Sequence, residues 1–198
     1  MPALSALRYY LALSGLMLIP TSVLMWALIH PLVAFWRRVG LCGTYAVAAI
    51  VESAVVVGLF QVRRPLLAVE FGTHWPSLIV GIVVLALSVR LRIQLHRHFS
   101  AAQLFGLPEL APDRFPTRLV TDGLHAWVRH PRYLQYLLIV AGWALVANYL
   151  AFYALLALMA PAVWVVIVLE ERELRARFGP AYDDYCRRVP RFVPRRGR

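Results

Sequence analysis

The chain has 198 residues, is 61% hydrophobic and only 16% charged, and its mean hydropathy is +0.64. That balance excludes a disordered tail, a collagen-like fibre and a disulfide scaffold, and it exceeds the apolar share of soluble domains, which sit nearer half. An all-α, polytopic membrane protein is the economical reading. The net charge is +11, and all 21 basic residues are arginine. In so apolar a chain this reads as arginines flanking membrane spans and facing anionic lipid. No basic stretch lies on a soluble module, so the expected partner is the lipid bilayer and not nucleic acid. Cys42 and Cys186 are far apart, and His96, His98, His125 and His130 match no finger or zincin spacing. Neither a disulfide framework nor a metal is expected.

The first predicted span is Tyr9–Ile29, ending at His30-Pro31. Its uncharged run continues to Trp36, longer than the core of a signal peptide, so it is expected to stay in the membrane. The second span is Val39–Phe60, interrupted by Glu52, an intramembrane acid and so a functional candidate. The third is Ser77–Val89. Then 37 residues, Tyr133 to Leu169, carry no charge. One helix of that length would measure about 55 Å against a hydrocarbon core of about 30 Å. The run is therefore predicted to be a hairpin of spans four and five, turning at Asn148-Tyr149.

Between spans three and four, Phe99–Gly123 is rich in Pro, Gly and charge and reads as a loop. After Leu169 comes an amphipathic helix, a break at Gly179-Pro180, a short helix at Tyr182–Arg187 and an extended Val189–Pro194. The chain divides into an N-terminal set of spans (1–98) and a loop, hairpin and tail (99–198), joined in one membrane domain. Eighteen arginines fall on the side of the tail, and only Arg8, Arg63 and Arg64 on the other. This bias places the C-terminus in the cytoplasm and the N-terminus outside.

Two constellations carry possible chemistry. In Arg129-His130-Pro131-Arg132-Tyr133, proline is suited to the first helical position, so His130 becomes a cap at the start of span four. The helix start attracts an anion, with Arg129 and His130 adding donors. In Glu170-Glu171-Arg172-Glu173, Glu171 has Arg175 and Glu173 has Arg177 four residues on, which leaves Glu170 as the carboxylate without a helical partner. The hairpin brings both constellations to one side. An anion site opposite a carboxylate suits an amino-acid head, and Trp127, Tyr133, Tyr182 and Tyr185 could shield a sulfonium. That is the shape of S-adenosylmethionine, although a phosphorylated nucleotide also suits the anion site. No GxGxxG, GxxxxGK[ST] or GxSxG is present.

The stretch from Leu119 to Tyr133, containing Arg129-His130-Pro131-Arg132-Tyr133, is followed in order by Glu170-Glu171, Phe178-Gly179, Tyr182, Tyr185 and Val189-Pro190-Arg191-Phe192-Val193-Pro194. This series resembles the C-terminal signature of the isoprenylcysteine carboxyl methyltransferase and phospholipid methyltransferase superfamily, over about residues 117–194. The resemblance implies an integral-membrane enzyme using S-adenosylmethionine in a pocket at the cytoplasmic face, closed by the tail. It implies cofactor contacts from Thr117, Arg118, Leu119 and Val120, from His130, Pro131, Arg132 and Tyr133, and from Glu170. Two departures stand out. His125 occupies a position that is often Tyr in prenylcysteine enzymes. Val165-Val166-Ile167-Val168 also lacks the Arg that holds a substrate carboxylate there. Both argue against a prenylcysteine acceptor.

The expected reaction is methyl transfer to an amphiphilic or lipid-like acceptor entering from the bilayer. An amine or thiol acceptor must lose a proton, and His125 and His130 are the candidate bases. An NADPH-linked sterol-reductase-like enzyme and a non-catalytic membrane protein are the competing readings.

Overall fold

The computed structural model describes residues 2–29, 32–96, 107–111, 114 and 118–193. Thr117 and most of the Phe99–Gly123 loop lie outside the described residues. The long uncharged run is broken where its side chains turn polar. Asn148 adopts the left-handed conformation (φ 58°, ψ 45°), and its N–H bonds the Ala144 carbonyl. Asparagine tolerates that geometry better than most residues. The turn separates helix α4 (Pro131–Ala147) from α5 (Leu150–Phe178). Before them come α1 (Pro2–Ile29), α2 (Val33–Gln61) and α3 (Trp75–His96), and after them α6 (Pro180–Arg188). Pro131 and Pro180 each begin a helix, where a missing N–H costs nothing. Gly40 breaks the first part of α2 from the rest with φ +82°.

The five spans predicted from hydropathy thus correspond to five long helices, and among the described residues four are long and apolar enough to cross a membrane: α1, α2, α3 and α5. Cut by Pro131 and Asn148, α4 has 17 residues, about 25 Å. Its neighbour α5 has 29 residues, about 43 Å, and runs beyond Leu169 to carry the acidic cluster out of the apolar zone.

The short α4 is the centre of the packing. On one side it meets α3 at a glycine pair. A Cβ on Gly142 would lie 3.1 Å from the Gly81 carbonyl oxygen and 2.7 Å from the Leu85 side chain. Small residues here let two backbones touch, which supplies close packing where no hydrophobic effect drives helices together. On its other side α4 joins α1 and α5 around Ala12, Leu16, Val140, Ala144, Phe152, Val163 and Ile167. The Trp143 indole N–H donates to the Leu11 carbonyl at 2.9 Å.

The end of the bundle that carries the Asn148 turn is tied by Arg8. Its guanidinium donates to the Ala147 carbonyl (2.9 and 3.2 Å) and to Thr73 Oγ1 (3.1 Å), and lies 3.0 Å from Glu70. A cation thus sits on the unsatisfied carbonyl end of α4. Backbone bonds from Phe71 to Asn148 and from Leu150 to Val69 fix the α2–α3 connection against the turn.

Candidate functional site

At the opposite end, the helical repeat of α5 decides which acid points inward. Val163, Ile167 and Glu171 follow one another at four-residue steps and are all buried. Glu171 is 1% exposed. Its carboxylate accepts hydrogen bonds from Arg129 Nη2 (2.9 Å), from Arg191 Nε and Nη2 (3.0 and 2.7 Å) and, at 3.1 Å, from His130 Nε2. Arg175 is more distant, at 4.0 Å. This corrects the expectation that Arg129 and His130 present their donors to an external anion. The anion they hold is the chain's own Glu171, whose i,i+4 partner Arg175 is the weakest of its contacts. A buried carboxylate needs such donors, because desolvation without them would be prohibitive.

A further cation, Arg191, comes from the tail, which crosses the site as a strap. The Arg129 N–H donates to the Pro190 carbonyl (2.8 Å) and the His130 N–H to the Arg191 carbonyl (3.2 Å). Arg129 Nη1 reaches the Cys186 and Val189 carbonyls at 2.9 and 3.1 Å. Arg191 also lies over the Trp164 ring, 4.8 Å from its centroid. Helix α6 underlies the strap through buried Tyr182 and Tyr185, which pack with Leu119 and Val189. The Tyr185 hydroxyl donates to the His125 carbonyl at 2.7 Å. Burial pushes the Tyr185 phenol well above its ordinary range, so it remains a neutral donor.

Glu170 takes the adjacent position. Its Oε2 is 3.7 Å from His130 Nδ1, and its side chain is 30% exposed. Tyr133 lies against it, close enough for its hydroxyl to hydrogen-bond the carboxylate and for the two groups to couple electrostatically. Burial holds the His130 imidazole below its ordinary value, and the hydrogen bond and charge of Glu171 oppose this without overcoming it. A neutral His130 donates its Nε2–H to Glu171 and turns the lone pair of Nδ1 towards the Glu170 carboxylate. Two acceptors facing one another favour a donor or a cation shared between them.

The remaining candidates are distributed around this pair. Pro131 and Tyr133 are buried in the first turn of α4, and the Tyr133 ring is 5.8 Å from His130. Arg132 leans over Tyr136. His125 is buried in a 3₁₀ turn, Gly123–Ala126, and Leu119 and Val120 are half-buried while Arg118 is exposed. Arg129 Nε is buried with no hydrogen-bond partner among the described residues, whereas Gln135 shares the α3-facing side of α4 with Gly142 and stands apart from this pair. Such an orphaned donor, with an acid beside a neutral imidazole, fits a ligand that brings both an acceptor and a cation.

Immediately towards the membrane interior lies a cavity of about 100 Å³, lined by Ser22 and Val23 of α1, Tyr133 and Tyr136 of α4, and Met159, Ala162, Val163 and Val166 of α5. Tyr133 belongs to both the cavity and the polar cluster. Sequence reasoning missed Glu171 as the central acid, and missed Arg191. The 163–167–171 step was visible and marks Glu171. Nothing local ties Arg191, in the Val189–Pro194 segment, to an acid twenty residues before it.

Comparison with known proteins bears on this arrangement. The signature of the phospholipid methyltransferase family matches residues 76–181, from α3 into α6. The chain belongs to that family. It is similar to methanethiol S-methyltransferase 1 of Bradyrhizobium diazoefficiens, 34% identical over 148 residues, which are 69% of this chain and 49% of the relative. It is 34% identical to the nickel-cobalt-cadmium resistance protein NccN of Alcaligenes xylosoxydans over 82 residues, 41% of this chain and 38% of that one. It is 33% identical to the protein-S-isoprenylcysteine O-methyltransferase of Schizosaccharomyces pombe over 81 residues, 38% of this chain and 33% of the relative. The chain spans about half the length of the first of these relatives and less of the other two. No solved structure matches. Family membership and four membrane-length apolar helices together describe an integral membrane protein of a methyltransferase family.

Proposed function

We propose that this protein transfers a methyl group from S-adenosylmethionine to a hydrophobic acceptor, at the end of the bundle that carries Glu170, His130 and the strap. The observation that carries the reading is the division of labour between the paired acids. Three cationic or donor side chains satisfy Glu171, while Glu170 sits beside a neutral imidazole at the head of an apolar cavity. The arginine distribution supports placing this end in the cytoplasm, with the N-terminus on the other side.

Glu170 would hold the cofactor's ammonium, and Arg129 Nε offers a donor to its acceptor atoms. Backbone and side chains of Arg118, Leu119, Val120 and His125, with Pro131, Arg132 and Tyr133, would complete the pocket under the strap. When bound, S-adenosylmethionine supplies a methyl group on a sulfonium, open to in-line displacement. The chain's own contribution is alignment and exclusion of water. The buried Glu171 network fixes Arg129, His130 and the strap as one unit, so the walls around the reacting atoms are rigid. An acceptor that must lose a proton finds His130 neutral and able to take one at Nδ1. The position one turn before the Glu pair carries Val166 and Ile167 and no arginine, which disfavours a carboxylate acceptor.

Detergent-purified protein should bind methyl-labelled S-adenosylmethionine saturably, and NADPH should not compete. Glu170→Gln should weaken that binding at least tenfold. Full affinity in Glu170→Gln would remove Glu170 from the site, and competition by NADPH would replace the donor assignment.

A further inference from the structure

We propose that Cys186 is a thiol-modification site, which takes one half of a small, carboxylate-bearing disulfide as a mixed disulfide and thereby lifts the strap off Glu171. Its effect on methyl transfer rests on the methyltransferase reading; the attachment and the opening of the strap do not.

Cys186 lies on α6, and neither the Glu171 network nor the Glu170–His130 pair uses its thiol. Three elements meet around the sulfur. From α5 comes Arg175, with Nη2 4.0 Å from Sγ. From the strap comes Arg191, whose guanidinium feels the charge of this thiol as well as that of Glu171. From α6 itself comes Tyr182, one turn earlier and 1% exposed. The Tyr182 hydroxyl has no partner within ordinary hydrogen-bond reach among the described residues, and the group it faces is the Cys186 sulfur. The acids nearby are already engaged, Glu171 by Arg129, His130 and Arg191, and Asp183 by Arg175 at 3.1 Å. Cys186 is half-buried, and the side chains of Arg175 and Arg191 are 44% and 34% exposed, so the sulfur can be reached from water.

These surroundings favour one reaction. A thiol is a weak acceptor, so the orphaned Tyr182 hydroxyl gains a strong one only when the sulfur carries negative charge. Positive, partly exposed surroundings are those in which a cysteine attacks as a thiolate. The same guanidiniums, with exposed Arg187 and Arg188 on α6, draw in a disulfide that carries carboxylates. After the thiol proton has left to water, the Cys186 sulfur bonds one sulfur of the small disulfide. The original S–S bond breaks, and the other half departs as a thiolate. Cys186 is oxidised and the departing half is reduced, so no further oxidant enters. The attached half then stands between Arg175 and Arg191, and its carboxylates compete with Glu171 for Arg191. The Cys186 carbonyl also receives Arg129 Nη1 at 2.9 Å, so a displaced α6 loosens the strap at a second point.

The test uses the full chain in detergent with Cys42→Ser, so that Cys186 is the one cysteine left. Glutathione disulfide is the carboxylate-bearing probe and bis(2-hydroxyethyl) disulfide the neutral one, each rate scaled to that with free cysteine. At low salt glutathione disulfide should react at least tenfold faster. The preference should shrink below threefold in about 1 M salt, where the Debye length is about 3 Å. Arg175→Gln should cut the preference at least threefold. In the purified adduct, tryptic cleavage after Arg191 should be at least tenfold faster than in the reduced chain, and dithiothreitol should restore the slow rate. Cys186→Ser should form no adduct and keep slow cleavage with glutathione disulfide present. A reduced chain that binds methyl-labelled S-adenosylmethionine should lose at least fivefold in affinity as the adduct. Equal scaled rates for the two disulfides, an adduct cleaved no faster than the reduced chain, or an adduct with unchanged cofactor affinity would overturn the inference while the methyltransferase reading stands. A reduced chain that binds no S-adenosylmethionine would sink that reading alone, and the switch is then judged by exchange and cleavage.

Discussion

Each end of the helical bundle is held by a buried arginine and an acid, yet the two ends are built for different tasks. At the turn end one arginine, Arg8, meets one acid, Glu70, and spends its other donors on the last carbonyl of α4 and on Thr73. At the strap end two arginines and a histidine converge on Glu171, and a second acid stands next to it facing the same histidine. The first arrangement closes on itself. The second adds a partly exposed carboxylate, a neutral imidazole and the buried Arg129 Nε, which has no hydrogen-bond partner among the described residues, near the head of an apolar cavity. Ion pairs inside a membrane protein therefore do not by themselves mark function. What distinguishes the strap end is a second acid beside the neutralised one, next to a cavity.

This contrast can be broken most severely at Glu171. Glu171→Ala leaves Arg129 and Arg191 facing one another without their acid, and should cost about 3–5 kcal/mol, read as a large fall in Tm in detergent. Arg8→Ala at the other end removes charge-assisted bonds but leaves Glu70 partly solvated. It should cost about 1.5–3 kcal/mol by the same measurement and should not change S-adenosylmethionine affinity. If both variants abolish cofactor binding at temperatures where the protein remains folded, the two ends are not separable in function. Gly142→Ala tests the packing between them. Its Cβ would press on Leu85 and the Gly81 carbonyl, and a loss of about 1–3 kcal/mol is expected.

Acidity is the next and smaller lever. Burial keeps His130 neutral in the folded chain, whereas the unfolded chain takes up the proton near the ordinary value of about 6.5. The unfolded state therefore binds more protons below that value, and stability should decline as pH falls from 6.5 towards the depressed folded value. The decline should be shallower in His130→Gln. A Tm that is flat for the unaltered chain between pH 7 and 5 would contradict a neutral His130. Smallest in stability is Glu170→Gln, expected within about 0.5–1 kcal/mol of the unaltered chain because the side chain is partly exposed. Its effect belongs to ligand binding, and a collapse in Tm would instead give Glu170 the structural role assigned to Glu171.

Much of this was readable in the residues. The uncharged run had to fold back, and it does so at Asn148, because length against bilayer thickness is a strong constraint. Pro131 and Gly179-Pro180 likewise announced the starts of α4 and α6. The acids were less legible. Glu170 and Glu171 point about 100° apart on the helix, both beside the apolar stripe, and the pairing of Glu171 with Arg175 draws attention to Glu170 although the 163–167–171 step puts Glu171 at the stripe's centre. Sequence spacing favoured Arg175 as the partner of Glu171 since it sees only the helix itself. Arg129 and Arg191, 42 and 20 residues away, arrive through tertiary folding. The shortness of α4 was hidden too, for an uncharged sequence does not reveal where within it the helix stops.

The strap has a consequence for how the chain is made. Glu171 is synthesised twenty residues before Arg191, so during translation it reaches the membrane surface with Arg129 and His130 as its available companions. Only when Arg191 leaves the ribosome can the last ligand of this carboxylate dock. Assembly of the site is thereby deferred until the strap has been made, and a bundle whose strap is undocked is inserted but not yet latched.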